Sequence, residues 1–249
     1  MLMSNNKEHF SKRSSLFIFL AAIFLSTAII AELIGNKIFS LEELLGIAPV
    51  NLFGSVNLNF SAGVIPWPIV FVMTDIINEF YGRNGLRRIT FLTIFFIAYV
   101  FIILLIATNL PPAKELYKNN DAFVTVFSQG MTMIIASLVA FLIGQLLDSY
   151  VFYLLKKKWS SSKNIWIRAM GSNLFSQLVD SFVVLVIAFY FTGQMGFYQV
   201  ITIGIVAYAY KFFMSFALLP VIYFAHFAIE KYLGKEVSEQ MVMDDIKKK

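Results

Sequence analysis

One short segment combines two carboxylates and an amide at helical spacing. Asp75, Asn78 and Glu79 stand at positions i, i+3 and i+4, so on a helix they share one face. An apolar run precedes them and contains Trp67 between two prolines, where a helix cannot be regular. Such a face can donate and accept several hydrogen bonds at once. The segment predicts a polar ligand site beside an irregular stretch of apolar chain.

A second polar pattern, Gln-x-x-Asp-Ser, occurs twice in the chain. Its copies cover residues 145–149 and 177–181, and Asn173 extends the second copy by one helical turn. In each copy the three polar side chains again fall on one helical face. Asp75, Asp148 and Asp180 are predicted to line one cavity that reaches inward from the membrane midplane, with Lys211 opposite. The candidate substrate-binding residues are Trp67, Asp75, Asn78, Gln145, Asp148, Asn173, Gln177, Asp180 and Lys211.

The composition indicates that these residues lie in a membrane. The chain has 249 residues, of which 59% are hydrophobic and 14% charged, and its mean hydropathy is +0.75. A soluble domain would carry about 25% charged residues. The absence of cysteine excludes a disulfide framework and a thiolate metal site. The net charge of +5 is carried by residues that flank apolar spans, so no nucleic-acid partner is expected.

Six apolar segments are long enough to cross a bilayer, which takes about 20 residues for a hydrocarbon core of about 30 Å. The first is longer than the apolar core of a signal peptide, so we interpret it as a retained helix. The predicted fold class is an all-α membrane protein with six transmembrane helices in a single bundle, spanning residues 16–230 between tails 1–15 and 231–249. The six spans are 16–34, 61–80, 89–110, 123–155, 170–191 and 200–229.

Basic residues predict the orientation of the bundle. With the N-terminus inside, sixteen lysines and arginines lie on the cytoplasmic side, and only Lys37, Lys114 and Lys118 lie outside. Cytoplasmic loops carry an excess of basic residues. Both termini are therefore expected in the cytoplasm, and the protein in the cell inner membrane.

The segment between the first two spans has two interpretations. Residues 50–60 partly alternate apolar and polar side chains around Gly54 and Ser55, which is typical of a β-hairpin. Such a hairpin would form a short external cap over the bundle. An interfacial loop is the alternative.

Several charged residues also have a purely structural interpretation. Lys211 either forms a salt bridge with Asp180 or Asp148, or takes part in function. Glu79 either belongs to the site or pairs with an arginine of the following turn, Arg83 or Arg87. His226 is expected at the membrane interface.

The sequence also limits the class of activity. It contains no nucleotide-binding loop, metal-ligand spacing or nucleophile–base motif, so we predict no catalytic residue, metal or cofactor. This excludes an ATP-driven pump within this chain alone and makes an enzyme unexpected.

Part of the chain resembles a known family. The resemblance lies in Ser61-Ala62-Gly63, Pro68, the run Thr74-Asp75-Ile76-Ile77-Asn78-Glu79-Phe80-Tyr81-Gly82-Arg83, and Arg87-Arg88. These residues are similar to the signature of the queuosine precursor transporter family, also described as vitamin-uptake-like. The six-span layout and the Gln-Leu-x-Asp-Ser segments extend the resemblance over most of the chain.

The resemblance implies import of 7-cyano-7-deazaguanine or 7-aminomethyl-7-deazaguanine by alternating access around a midplane site. It also implies a bundle similar to the substrate-binding subunits of energy-coupling-factor vitamin transporters, although members of the family usually work without other subunits. The polar residues fit such a base, because a guanine edge offers adjacent N–H donors to a carboxylate and a flat face to an aromatic ring. Asp180 or Asp75 would supply the carboxylate, and Trp67 or Tyr208 the ring.

The expected partners are the small-molecule base and the lipid bilayer. The sequence is compatible with a monomer and with a homo-oligomer. One alternative function is a vitamin-binding subunit that depends on a separate ATP-driven module. Another is a membrane-embedded enzyme or scaffold.

Overall fold

The computed structural model describes residues 2–48, 58–113, 115–128 and 131–247, and helices dominate it. Two short strands, two 3-10 turns and one π-helical turn complete the described elements. In chain order the labelled elements are α1 (Leu2–Leu33), β1 (Ile38–Ser40), α2 (Leu41–Leu45), β2 (Asn59–Ser61), α3 (Trp67–Asn109), α4 (Asn120–Phe127), α5 (Met131–Lys158), α6 (Ile165–Leu185), α7 (Phe197–Ala217), α8 (Leu219–Leu233) and α9 (Lys235–Lys247).

The described residues contain five helical segments that are long and apolar enough to cross a membrane. This confirms an all-α, multi-pass membrane protein, as predicted. The segments are Ser11–Leu33, Ala62–Asn109, Asn120–Lys158, Ile165–Tyr190 and Phe197–Ala217.

Helix α1 presents one buried stripe to the bundle. Leu20, Phe24, Ala28 and Ala31 are buried and recur every three or four residues, the period of a helical face. Phe24 and Ala28 are fully buried, and α1 packs mainly on α3. The apolar stripe therefore fixes which side of α1 faces the protein.

Helix α3 joins the predicted second and third spans. Its 43 residues would extend about 65 Å at 1.5 Å per residue, roughly twice the hydrocarbon core. Gly82 interrupts it with φ 67° and ψ −173°, a left-handed conformation that glycine adopts without a Cβ clash. Val70 before this break and Phe101 after it belong to the same hydrophobic core. The two predicted spans are thus two arms of one helix bent at Gly82.

The predicted sixth span, 200–229, is divided into α7 and α8. The break falls at Leu218, and Pro220 stands in the first turn of α8, where proline is tolerated. Helix α9 follows and packs against α3, with Met241 and Val242 buried. The C-terminal segment is therefore a docked helix.

A small antiparallel ladder connects α1 to α3. Strands β1 and β2 pair from Ile38 opposite Ser61 to Ser40 opposite Asn59. The end of the predicted hairpin therefore pairs with residues 38–40. Its predicted Gly54-Ser55 turn lies outside the described residues. Two prolines follow α3, and the helix ends at Asn109, as the sequence predicts.

Candidate functional site

The two Gln-x-x-Asp copies face each other where α5 packs on α6. Gly144 of α5 lies against Asp180 of α6, so a Cβ added at Gly144 would be 3.3 Å from the Asp180 Cβ. The absence of a side chain at Gly144 lets the two helices approach closely. Gln145 and Gln177, which open the two copies, both line the cavity beside this contact.

A narrow cavity of about 20 Å³ lies between α3, α5 and α6. Six of the nine predicted site residues line it, which brings together side chains that are up to 113 positions apart in the sequence. Asp75, Asn78 and Lys211 are not among its lining residues. The cavity is lined by Trp67, Phe71, Thr74, Phe141, Gly144, Gln145, Asp148, Asn173, Ser176, Gln177 and Asp180.

One wall of the cavity is aromatic. Trp67 begins α3 and stacks on Phe71 with ring centroids 6.0 Å apart and an interplanar angle of 21°. Phe141 of α5 lies 5.8 Å from Trp67 between centroids. Tyr208, the other predicted stacking residue, does not line the cavity, and its hydroxyl donates to the Leu174 carbonyl over 3.2 Å.

A second wall of the cavity is polar, and most of it is buried. Asp148 accepts hydrogen bonds from Ser176 Oγ at 3.2 Å and from Asn78 Nδ2 at 3.4 Å. Gln145 Oε1 accepts one from Thr74 Oγ1 at 3.2 Å. Asn78 is therefore not part of the cavity lining and instead donates a hydrogen bond to the lining residue Asp148. Ser176 and Thr74 were not predicted, although Ser176 stands at helical spacing between Asn173 and Asp180.

Asp75 lies behind the same wall. Its side chain is fully buried, and Oδ2 accepts from Asn173 Nδ2 over 3.4 Å. Its other oxygen, Oδ1, has no hydrogen-bond partner among the described residues. Asp75 thus reaches the cavity through Asn173.

Lys211 forms the salt bridge that was one of its two predicted interpretations. Its Nζ lies 2.5 Å from Asp180 Oδ2, and both side chains are mostly buried. The pair ties α7 to α6 at the edge of the cavity. Lys211 therefore compensates the charge of a cavity-lining carboxylate.

A second ion pair lies below the cavity wall. Glu79 Oε1 accepts from Arg168 Nη2 over 2.6 Å, with both side chains fully buried. Arg168 also donates to the backbone carbonyls of Trp159 and Ser161. The predicted partners of Glu79, Arg83 and Arg87, were therefore wrong. The prediction failed because it paired Glu79 with arginines that are close in the sequence, whereas the fold brings Arg168 of α6 next to Glu79.

Lys156, predicted from the sequence to lie in a cytoplasmic loop, and His226 are also part of the packed bundle. Lys156 is fully buried and donates to the backbone carbonyls of Asn78 at 3.3 Å and Glu79 at 2.6 Å. His226, expected at the interface, is 5% exposed, and its Nε2 lies 3.8 Å from Glu79 Oε1. Lys156 and Arg168 therefore do not act as solvated loop charges but join Glu79 and His226 in a network of buried polar and charged groups.

Comparison with known proteins identifies the family. The model of the family described as "Putative vitamin uptake transporter" matches residues 61–225, which contain all nine predicted site residues. The chain belongs to this family. It is therefore a membrane transporter rather than an enzyme, which excludes the alternative of a membrane-embedded enzyme.

Two curated relatives of this transporter carry the name "Probable queuosine precursor transporter". The protein of Bacillus subtilis (strain 168) is 30% identical over 182 residues, which are 71% of this chain and 74% of the relative. The protein of Haemophilus influenzae (strain ATCC 51907 / DSM 11121 / KW20 / Rd) is 29% identical over 160 residues, 63% of each chain. No solved structure matches the transporter.

Proposed function

We propose that this transporter imports 7-deazaguanine bases, namely 7-cyano-7-deazaguanine or 7-aminomethyl-7-deazaguanine, as queuosine precursors. The names of the two relatives support this class of substrate. Import would follow alternating access, with the α3–α5–α6 cavity as the binding site.

The observation that carries the proposal is the pairing of an aromatic wall with a carboxylate and amide wall. The cavity of about 20 Å³ holds about one water molecule, so a planar base would enter only when alternating access separates the helices around it. Trp67 would stack on the base. Asp148 would accept the two adjacent N–H groups of the guanine edge, because an ionised carboxylate has more acceptor sites than Asn78 and Ser176 use.

The amides of the wall would read the rest of the base. Gln145 and Gln177 each offer a donor and an acceptor, so either can pair with the ring carbonyl or a ring nitrogen. Gln177 Oε1 is buried without a hydrogen-bond partner among the described residues, which leaves it open to a donor from the base. A ligand that satisfies this atom offsets the cost of its burial.

The proposal includes six crossings of the inner membrane, with both termini cytoplasmic. The bend at Gly82 would place the turn between crossings two and three, and α7 would be the sixth crossing. Fourteen of the sixteen basic residues assigned to the cytoplasmic side remain after Lys156 and Arg168 are set aside as buried. The excess over the three external lysines still favours this orientation.

Rescue of queuosine in tRNA tests the proposed substrate. Cells that cannot make the precursor and lack their own importer would express this chain and receive each base at low concentration. Restored queuosine in tRNA, measured by nucleoside analysis, is expected with at least one of the two bases. An empty vector and an exposed-site variant, Asp121→Asn, are the controls. Absence of rescue by either base at normal expression would contradict the proposal.

The family description supports a second candidate, a vitamin-binding subunit that requires a separate ATP-driven module. Purification of the tagged chain from its native membrane distinguishes the two. Stoichiometric recovery of an ATP-hydrolysing module, together with uptake that depends on it, would favour the second candidate.

A further inference from the structure

Two buried carboxylates at the site have no basic partner. Asp75 is fully buried and Asp148 is 2% exposed. In the described part of the chain, neither forms an ion pair, because Arg168 is engaged by Glu79 and Lys211 by Asp180. This distinguishes them from the other acidic groups at the core of the site.

Of the two, Asp75 accepts fewer hydrogen bonds from the described residues. Asp148 accepts hydrogen bonds from Ser176 and Asn78. Among the described residues, Asp75 has one long hydrogen bond from Asn173, and its Oδ1 has no hydrogen-bond partner. An ionised carboxylate costs several kcal/mol when it is buried without compensation. A proton on Asp75 removes that cost and gives Oδ1 or Oδ2 an O–H in place of a charge.

Asp75 is also connected to the substrate cavity. Asn173, its hydrogen-bond donor, lines the cavity, as does Asp148. Asn78, on the same face of α3 as Asp75, donates to Asp148. A base that pairs with Asn173 or Asp148 therefore changes the hydrogen bonding and the local charge around Asp75.

We propose that Asp75 binds a proton that is imported with each molecule of base, while Asp148 stays ionised and accepts the base. This inference rests on the proposed function and names the ion that drives it. Asp75 would take the proton while the cavity is open to the outside and release it when the cavity opens to the cytoplasm. Substrate and proton then move together, and no bond other than O–H is made or broken.

A proton suits these groups better than a metal cation. A metal cation requires several oxygen ligands in an ordered shell. No group of three or more Asp, Glu, His or Cys side chains able to hold a metal occurs in the described residues. A proton needs only one open oxygen, such as Asp75 Oδ1.

Other charged groups surround Asp75, and any pH experiment must distinguish their protonation from that of Asp75. Among them, His226 lies 3.8 Å from Glu79 rather than against Asp75. The remaining charged groups are held in the two ion pairs, except that Lys156 donates to backbone carbonyls and Asp148 accepts from Ser176 and Asn78. The charged and titratable groups are Glu79 of α3, Asp148 and Lys156 of α5, Arg168 and Asp180 of α6, Lys211 of α7 and His226 of α8.

The experiment uses liposomes that contain only the purified full-length chain and a pH-sensitive dye in the lumen. With equal pH on both sides, external 7-cyano-7-deazaguanine is expected to acidify the lumen as it enters. Exchange of labelled base against unlabelled base, measured for Asp75→Asn and for the wild type, reports how much base transport the substitution itself removes. The same variant is expected to lose both acidification and accumulation driven by a pH gradient.

Two variants serve as controls. Asp121→Asn makes the same chemical change at an exposed site on α4 and should acidify the lumen like the wild type. His226→Gln should also retain acidification, because His226 is not the proton carrier in this proposal.

The outcomes separate the two proposals. Exchange of base without acidification in the wild type overturns proton coupling and leaves the proposed function standing, whereas absence of exchange overturns the proposed function itself. Acidification by Asp75→Asn, loss of acidification in His226→Gln alone, or dependence on a sodium gradient each overturns the role of Asp75. If Asp75→Asn does not fold, acidification by the wild type and by Asp75→Glu decides the question.

Discussion

Arg168 Nη2 lies 2.6 Å from Glu79 Oε1, and neither side chain is exposed. The pair joins α6 to α3 directly beside Asn78, which holds the cavity-lining Asp148. Lys156 of α5 donates to the carbonyl groups of the same turn of α3. This side of the cavity is therefore fixed by buried charges that belong to all three helices of the site.

Removal of one partner of this pair should strongly destabilise the fold. Glu79→Gln leaves the Arg168 charge buried without its carboxylate, which typically costs about 3–5 kcal/mol. The measurement is thermal unfolding of the detergent-purified protein, in which we expect a large fall in Tm. Glu239→Gln, in an exposed pair with Lys235 at 3.9 Å, is the matched control and should change Tm little. Equal shifts for the two variants would contradict a structural role for the buried pair.

The Asp180–Lys211 pair should behave as a coupled unit. Asp180→Asn and Lys211→Met each leave one charge uncompensated beside the cavity. Each single variant should therefore unfold more easily than the wild type, and the double variant less easily than the sum of the two predicts. Contacting charges show coupling of about 0.5–3 kcal/mol in such cycles. Additive effects would mean that the contact between Nζ and Oδ2 does not stabilise the protein.

A side chain at position 144 should close the substrate site. An added Cβ there is already 3.3 Å from the Asp180 Cβ, so the branches of valine can only enter the cavity or separate α5 from α6. We expect Gly144→Val to lose at least about tenfold in substrate affinity, equivalent to about 1.4 kcal/mol. Binding of labelled base to purified protein measures this loss.

Gly196→Val is a useful comparison for Gly144→Val. Gly196 precedes α7, and the nearest atom to an added Cβ is 4.0 Å away. Binding by this variant should match the wild type. If Gly144→Val binds equally well, the cavity is not the substrate site.

The aromatic wall should contribute through stacking. Stacking of a base on an aromatic side chain is worth about 1–3 kcal/mol, so Trp67→Ala should weaken binding by roughly 5- to 150-fold. Trp67→Phe should retain most of the affinity. Trp166→Ala, at an exposed position of α6, controls for the loss of a tryptophan. A Trp67→Ala variant with wild-type affinity would exclude stacking on this residue.

The sequence predicted those features of the site that depend on helical spacing. Gln145 and Asp148 share one face of α5, Gln177 and Asp180 share one face of α6, and all four line the cavity. Burying polar stripes in an apolar chain is costly unless they pair with each other, so their meeting could be expected. The membrane class followed from composition in the same way.

Features that depend on neighbouring helices could not be predicted. Arg168 stands beside a basic loop in the sequence, yet the fold places it against Glu79 of α3. The bend at Gly82 depends on one positive φ angle, which leaves no trace in hydropathy. Asp75 stands at helical spacing with Asn78, but the position of α6 decides that Asn173 separates it from the cavity.

Uptake by the isolated chain tests the central claim most directly. Liposomes containing only the purified protein would receive labelled 7-cyano-7-deazaguanine, and uptake by the wild type would be compared with that of Asp148→Asn and of Asp121→Asn. Saturable uptake is expected for the wild type and Asp121→Asn. Asp148→Asn should lose about tenfold or more, because hydrogen bonds to a charged group contribute about 1.5–3 kcal/mol. No uptake by the wild type, or equal uptake by Asp148→Asn, would contradict import of a deazaguanine base through this cavity.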